Sequence, residues 1–200
     1  MSLFHRLLEN PFLFNLSQVP FSRPKFARIL DHNDLTAVRS VLDVGCGPGT
    51  NAGRFTHTQY LGIDINPKYI ELARRKFKRD FRVGDVADYR AAAGDQYDFV
   101  LVNSFLHHID DSTAFGILAN LSRLVSPDGH IHCVELVLPE HNGLTKWFAM
   151  HDRGKFARAL PEWRAVFGRS FQTVVFEPFA VGYWGKTLME LVYFKGRTAR

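Results

Sequence analysis

The stretch VLDVGCGPGT, residues 41–50, decides the fold of this 200-residue chain. It begins as an apolar run typical of a buried strand, and three glycines then follow at alternating positions before a predicted helix. Glycine lets the backbone turn tightly, and it lets a ligand approach the main chain without a Cβ in the way. The stretch therefore predicts a strand, a ligand-binding loop and a helix.

The spacing of the glycines disfavours a dinucleotide as the ligand. A dinucleotide-binding loop reads GxGxxG and places a pyrophosphate at the helix N-terminus. Here the third glycine, Gly49, comes one residue early, and Thr50 stands where that pattern requires glycine. Asp43, two residues before the first glycine, would also be poorly placed beside a pyrophosphate. An acid at the mouth of the loop suits a cationic ligand group such as an amino group.

Outward from the loop, apolar runs alternate with helix-like segments between residues 41 and 137, which is typical of βαβ units and a parallel sheet. The predicted parallel strands are Ser40–Gly45, Gln59–Ile63, Asp80–Val83, Tyr97–Val102 and His130–Val137. One helix is predicted to begin at Asn66, and another to run from Asp111 to Leu124. Residues 126–129 are predicted to form a turn into the fifth strand.

Two further runs near the C-terminus, Phe171–Phe176 and Leu188–Phe194, alternate like strands. The connection between them is too short for a right-handed helical crossover, so the pair predicts an antiparallel hairpin at the sheet edge. The fold class is therefore α/β, a doubly wound sheet of five parallel strands plus the hairpin, seven strands in all, with helices on both faces.

The composition excludes several classes of protein. Hydrophobic residues make up 46% and charged residues 22%, which excludes a disordered chain. The longest strongly apolar run without charge, Phe99–Ile109, is too short to cross a membrane, so no membrane insertion is predicted. The apolar N-terminus contains Arg6 and Glu9 and is followed by no cleavage site, which argues against a secretory signal. With only Cys46 and Cys133 as thiols, the sequence predicts a cytoplasmic protein.

Four further segments accompany the glycine loop in order along the chain. They are GIDINP at 62–67, GDV at 84–86, YDFVLVN at 97–103 and LVSPDGH at 124–130. With the loop, they resemble the motifs of class I S-adenosylmethionine-dependent methyltransferases over about half of the chain. One glycine motif is weakly specific, but four correctly spaced partners make coincidence improbable. The resemblance implies a Rossmann-like fold, S-adenosylmethionine as cofactor and S-adenosylhomocysteine as product.

The resemblance also implies which residues bind the cofactor. It places Asp64 where an acid accepts both ribose hydroxyls, and Asp85 where an acid meets the adenine amino group. The alternative for both residues is a structural role as helix or turn caps. Asp43 is expected to contribute through water or by holding the loop. The other predicted cofactor contacts are Gly45, Cys46, Gly47, Gly49, Ile65, Val86 and Asn103.

The segment NSFLHHIDD, residues 103–111, occupies the position that faces the methyl acceptor in this family. It lacks the (Asn/Asp)-Pro-Pro-(Tyr/Phe) motif usual in enzymes that methylate exocyclic amino groups, which argues against that substrate class. His108, slightly favoured over His107, is the candidate catalytic base because histidine titrates near neutrality. The alternative role for both histidines is to shape the floor of the pocket.

Candidates for binding the acceptor lie mainly in the C-terminal part of the chain. They are Glu135, His151, Arg153, Lys155 and Tyr183. Arg153 and Lys155 would clamp an anionic group of the acceptor. No metal site is predicted, because the histidines and acids do not follow a metal-ligand spacing.

No internal repeat, linker or low-complexity segment is visible, so the sequence predicts one domain over residues 1–200. Residues 40–138 would form the cofactor-binding core, and residues 139–200 an acceptor-side insertion and the terminal hairpin. Residues 1–39, where phenylalanines accompany Arg23, Lys25 and Arg28, would form either a helical lid over the cofactor or helical cladding of the sheet.

The predicted function is methyl transfer from S-adenosylmethionine to a small-molecule acceptor by in-line displacement. The formal net charge of +5 and the pI of about 9.4 suggest an RNA-modifying enzyme as an alternative, although nucleic acid is not the expected partner because no added RNA-binding domain is visible. A non-catalytic S-adenosylmethionine-binding protein is the other alternative. The sequence leaves open the identity of the acceptor, the methylated atom and the oligomeric state.

Overall fold

The structure is a computed structural model that describes residues 11–90, 96–141, 143–151, 155–183 and 186–198. Its strands are β1 Ser40–Val44, β2 Gln59–Asp64, β3 Asp80–Val83, β4 Tyr97–Asn103, β5 Val125–Leu136, β6 Gln172–Tyr183 and β7 Lys186–Arg197. They form a 7-stranded sheet in the order β3-β2-β1-β4-β5-β7-β6. The first five strands are parallel, and β7 runs antiparallel to both β5 and β6. The predicted α/β fold class is confirmed.

The α-helices are α1 Pro11–Asp31, α2 Pro67–Lys76, α3 Asp111–Ser122, α4 Leu144–His151 and α5 Leu160–Gly168. The start of α2 follows the prediction, because the side chain of Asn66 accepts a hydrogen bond from the backbone N–H of Lys68 and proline occupies the first helical position. The cap of α3 is Asp110 rather than Asp111, and α3 ends at Ser122, before the predicted end.

The helix predicted directly after the glycine loop is not an α-helix. Only a short 3₁₀ turn, Ala52–Arg54, forms between β1 and β2. Glycine has low helix propensity, and Gly53 lies inside this turn, four residues after Gly49. The prediction of a regular helix here was therefore wrong.

The predicted C-terminal hairpin is confirmed, but its strands are longer than predicted. Most of residues 177–187, expected as the connection, belong to β6 and β7. Pro178 interrupts the sequence pattern of a strand, yet it is tolerated because β6 is the edge strand. β5 also begins earlier than predicted, at Val125, and its pairing with β4 is irregular around the expected turn at residues 126–129.

Helices cover both faces of the sheet, as predicted. In β1 and β4, side chains alternate between two hydrophobic clusters, so that Leu42 and Val100 face one cluster while Val41 and Leu101 face the other. The first cluster includes buried residues of α3 and α5, and the second includes residues of α1 and α2. Within the described residues, no helix is long and apolar enough to span a membrane.

Candidate active site

A cavity of about 290 Å³ lies where β1, β2 and β4 end. This is the edge of the sheet where open α/β folds bind their ligands, because the strand ends and the loops that follow them converge there. Its lining residues come from the glycine loop, the ends of β2 and β4, α1 and α2. They are Ser22, Lys25, Gly45, Cys46, Gly47, Pro48, Thr50, Asn51, Asp64, Tyr69, Asn103, Ser104, Phe105 and His108.

The glycine loop has the conformation that its sequence requires. Gly45, Gly47 and Gly49 have φ values of +66°, +54° and +79°, a left-handed region that other residues rarely adopt. A Cβ on Gly47 would meet no atom within 4 Å, so its backbone borders open space in the cavity. Gly49 instead packs against the ring of Phe77 and does not line the cavity, contrary to its predicted cofactor contact.

Asp43 lies behind the loop rather than at its mouth. It is buried and does not line the cavity; its Oδ2 accepts a hydrogen bond of 2.6 Å from the hydroxyl of Tyr60, and the Asn51 side chain also bonds to it. Burial raises the pKa of Asp43 to about 7, although both hydrogen bonds oppose this shift. This position favours the loop-holding role over direct contact with the ligand.

Asn51 provides an observation that tests whether a ligand fits here. Its amide nitrogen is the donor to Asp43, which leaves Oδ1 as an acceptor. This oxygen is buried and has no hydrogen-bond partner in the part of the chain that the structure describes. A buried acceptor without a partner is costly, so this oxygen in a residue of the cavity wall fits a ligand that donates a hydrogen bond.

Asp64 ends β2 and lines the cavity, as predicted. Its Oδ2 accepts from the backbone N–H of Gly47 at 2.9 Å, and its Oδ1 accepts from that of Asn66 at 2.8 Å. Burial raises the pKa of Asp64, and the two backbone hydrogen bonds oppose the rise. A carboxylate has about four acceptor positions, so Asp64 can hold the loop and accept from a ligand at the same time.

Three other predicted cofactor residues lie outside the cavity lining. Ile65 is 69% exposed, and Asp85 is exposed with its Oδ1 accepting from the N–H of Ala87 at 2.9 Å, the turn-capping alternative. Val86 is buried in the hydrophobic core beside α3. The predicted cofactor residues that the structure does bring together are Gly45, Cys46, Gly47, Asp64 and Asn103.

α1 contributes Ser22 and Lys25 to the cavity, and the sequence did not predict that either lines it. Lys25 is only 6% exposed, and its Nζ donates to the Oγ of Ser104 at 3.0 Å. Ser104 has a φ of +56°, uncommon outside glycine, which turns the chain sharply after β4. Lys25 belongs to the N-terminal basic pattern, but nothing in that pattern distinguishes it from Arg23 and Arg28. α1 thus both lines the cavity and clads the sheet.

His107 and His108 lie on a 3₁₀ turn, Leu106–His108, that follows β4. Their ring centroids are 4.2 Å apart, but their surroundings differ. His108 is exposed and lines the cavity, whereas His107 is buried, with its Nδ1 2.7 Å from Oε2 of Glu135. The structure therefore places His108, and not His107, where it could meet a ligand.

Glu135 does not lie where the sequence predicted. It is fully buried and does not line the cavity. Besides His107, its carboxylate accepts from the backbone N–H groups of Phe105 at 3.1 Å and Leu106 at 2.9 Å. The prediction that Glu135 binds the acceptor is corrected, because its oxygens are occupied in holding the turn.

Of the remaining predicted acceptor residues, only Lys155 has a side chain in the described part of the chain. Lys155 is exposed and absent from the lining. His151 ends α4 and Tyr183 ends β6, but their side chains lie outside the described part, as does the whole of Arg153. Among the described residues, no cluster of three or more His, Cys, Asp and Glu side chains could hold a metal ion.

Comparisons with known proteins agree with this geometry. A family model described as a methyltransferase domain matches residues 41–129. An uncharacterised methyltransferase from Mycobacterium bovis is 33% identical over 147 residues, which are 66% of this chain and 73% of that protein. Trans-aconitate 2-methyltransferase from Methylobacterium radiotolerans is 30% identical over 125 residues, which are 60% of this chain and 46% of that protein.

Solved structures similar to this chain include N-methyltransferase NodS from Bradyrhizobium japonicum in complex with S-adenosylhomocysteine. The match has a TM-score of 0.75 and 16% sequence identity, and it covers 98% of this chain and 96% of that chain. The chain belongs to the class I S-adenosylmethionine-dependent methyltransferases. It spans about half the length, or less, of the first curated relatives that it matches.

Proposed function

We propose that this chain transfers a methyl group from S-adenosylmethionine to a small-molecule acceptor. The observation that supports this most strongly is a single cavity that joins the left-handed glycine loop, the carboxylate of Asp64 and the imidazole of His108. When bound, S-adenosylmethionine supplies a methyl group activated by the positive sulfur to which it is attached. The chain must then hold the reactants in line and exclude water.

The donors and acceptors of the cavity fit the polar groups of this cofactor. Asp64 would accept from the ribose hydroxyls, and the buried Oδ1 of Asn51 would accept from the ammonium group of the methionine part. Burial raises the pKa of the Cys46 thiol, which stays protonated, so Cys46 would contribute through its backbone. Ile65 and Asp85 follow β2 and β3, are exposed and lie outside the cavity lining, so they would contact an adenine that extends beyond the cavity.

His108 would act as the base where the acceptor holds its proton at neutral pH. Its ring borders the cavity beside Asn103 and Ser104, at the end of β4. His107 is the weaker candidate, because it is buried and its Nδ1 is committed to Glu135. If the acceptor is already deprotonated, alignment alone carries the reaction and His108 shapes the pocket.

A small molecule is the acceptor that we favour. One relative is named for methylating trans-aconitate, a small acid, and the cavity already contains the buried Lys25. Arg153 and Lys155 would assist with an anionic acceptor as it enters. We further propose that the chain acts in the cytoplasm as a single domain and that nucleic acid is not its partner.

An acceptor screen with labelled S-adenosylmethionine tests the proposal. The purified chain would be incubated with cell extract separated into small molecules, RNA and protein. We expect label only in the small-molecule fraction. Label in the RNA fraction would support the RNA-modifying alternative, and label in no fraction despite cofactor binding would support the non-catalytic one.

Once the acceptor is identified, the turnover of His108→Ala should be lower than that of the wild type by about 10²- to 10⁴-fold. Its affinity for the cofactor should stay within a few fold of the wild-type value. His57→Ala is the matched control, because His57 is also exposed but lies on the β1–β2 connection outside the cavity lining. Full turnover of His108→Ala from pH 6 to 9 would show that the base assignment is wrong.

A further inference from the structure

Arg158 is a buried arginine that no step of the proposed reaction uses. Only 5% of it is exposed, and its guanidinium N–H groups all meet acceptors. Its Nε and Nη2 lie 2.8 and 2.7 Å from Oδ1 of Asp111. Nη1 donates to the carbonyls of Leu106 and Phe156, both at 3.1 Å, and Nη2 donates to that of Ile109 at 2.9 Å. Such a saturated site holds an arginine in a single orientation.

Two of these carbonyls lie in or directly after the turn that carries His108. The carbonyl of Leu106 lies within the turn, and that of Ile109 follows it directly. At the start of the turn, the backbone N–H groups of Phe105 and Leu106 donate to Glu135. Glu135 therefore holds N–H groups at the start of the turn, and Arg158 holds one carbonyl within the turn and one just after it.

The same arginine joins the turn to the segment that enters α5. The backbone N–H of Phe156 donates to the carbonyl of His107 at 3.0 Å, and the N–H of Leu138 donates to the carbonyl of Arg158 at 2.8 Å. The guanidinium also lies 4.8 Å from the ring centroid of Trp163, on α5. Arg158 and the backbone of Phe156 thus attach the segment that enters α5 to the turn.

We propose that Arg158 is a positioning residue, which fixes the turn so that His108 faces the cavity. This inference rests on the proposed methyl transfer for its catalytic consequence, but the orientation of His108 can be measured without an acceptor. Lysine could not replace Arg158. The planar guanidinium reaches Asp111 and three separate carbonyls at once, and a single ammonium group cannot.

The experiment compares Arg158→Lys with Arg164→Lys, a matched change at an exposed arginine that lies over the ring of Phe176 and does not contact the turn. Asp111→Asn is a milder variant, because Asp111 is 66% exposed and its loss leaves the carbonyl contacts in place. Val166→Ala, a truncation of a buried side chain on α5, controls for loss of stability alone.

Three quantities would be measured for each variant: the ring resonances of His108 by nuclear magnetic resonance over pH 5–9, the affinity for S-adenosylhomocysteine, and kcat and KM for the acceptor. The His108 resonances are assigned with His108→Ala. For Arg158→Lys we expect shifted or broadened His108 resonances, an altered pH titration, and a kcat lowered by about 10- to 100-fold with KM and cofactor affinity within about threefold. Asp111→Asn should show a smaller change in the same direction.

Unchanged His108 resonances in both Arg158→Lys and Asp111→Asn would overturn the inference. So would a Val166→Ala protein with the same loss of kcat and the same change at His108, because the effect would then follow stability. If the wild type binds no S-adenosylhomocysteine, the proposed function fails, but the His108 resonances still decide whether Arg158 positions the turn.

Discussion

Two acids that look alike in the sequence have different roles in the structure. Asp43 lies in β1 and Asp64 ends the neighbouring strand β2. Asp64 borders the cavity, whereas Asp43 is buried behind the loop. Behind the loop, Asp43 accepts a hydrogen bond from the hydroxyl of Tyr60 on β2. The sequence could predict that both acids belong to the site, but not which one meets the ligand, because that depends on a partner from another strand.

Replacing Asp43 by Asn should remove a pH dependence of stability. Because the pKa of Asp43 is raised in the folded chain, its stabilising effect is complete below its ordinary value of 3.8 and is lost as the pH rises through about 7. Between pH 5 and 8, the free energy of unfolding of the wild type should fall by about 3 kcal/mol relative to that of Asp43→Asn. Denaturant unfolding at several pH values measures this. A difference that does not vary with pH would contradict it.

His107→Ala and His108→Ala should differ in stability. Removal of the His107 ring leaves the fully buried carboxylate of Glu135 without its imidazole partner, which should cost about 3 kcal/mol or more of unfolding free energy. His108 is exposed, so its truncation should cost less than about 1 kcal/mol. Denaturant unfolding of the two variants makes the comparison, and equal stabilities would show that the Glu135–His107 contact does not stabilise the turn.

At the scale of elements, α1 is part of the core as well as a wall of the cavity. Phe26 is fully buried, with its ring centroid 6.0 Å from that of Phe55, and Ile29 packs in the same cluster. One residue before Phe26, Lys25 lines the cavity. A detached lid would not bury these side chains. α1 therefore clads the sheet, and it also lines the cavity.

Phe26→Ala should therefore lower the free energy of unfolding by about 3–5 kcal/mol and weaken cofactor binding, because the helix also carries Ser22 and Lys25. Leu30→Ala is the control on the same helix, since Leu30 is 48% exposed, and it should cost less than about 1 kcal/mol. Thermal unfolding and calorimetry with S-adenosylhomocysteine measure the two effects. A Phe26→Ala protein of wild-type stability would mean that α1 is not docked.

The sequence predicted the elements well where apolar periodicity and capping agree. The strands β1 to β4 and the start of α2 lie within a residue or two of their predicted positions. The prediction failed where tertiary pairing overrides local signals. β6 and β7 extend through residues of low strand propensity because each pairs along its whole length with the other. The missing helix after the loop has a local cause instead, the low helix propensity of Gly53.

At the scale of the whole molecule, the site is assembled from parts of the chain that are far apart in sequence. The glycine loop and Asp64 belong to known motifs, so they could be predicted. Lys25, Asn51 and Arg158 do not, because their roles arise only when the elements pack together. The motifs therefore predict the residues at the glycine-loop end of the cavity but not the contacts that hold it together.

The basic charge of the C-terminal part is partly explained by packing. Arg158 is buried against the turn, and two further arginines of this region, Arg164 and Arg169, lie over the rings of Phe176 and Phe115. Such contacts fix guanidinium groups on aromatic faces of the protein itself. Arg158 is thus withdrawn from solvent, whereas Arg164 and Arg169 keep their charges at the surface.

The most direct test of the central claim is calorimetric titration of the wild type and Asp64→Ala with S-adenosylhomocysteine, S-adenosylmethionine and NAD. Asp88→Ala, an exposed acid outside the cavity lining, is the matched control. We expect micromolar binding of both sulfur compounds by the wild type and Asp88→Ala, no binding of NAD, and a loss of about 2–4 kcal/mol of binding free energy in Asp64→Ala. Binding of NAD without either sulfur compound, or an unchanged dissociation constant in Asp64→Ala, would contradict the assignment of this cavity as the cofactor site.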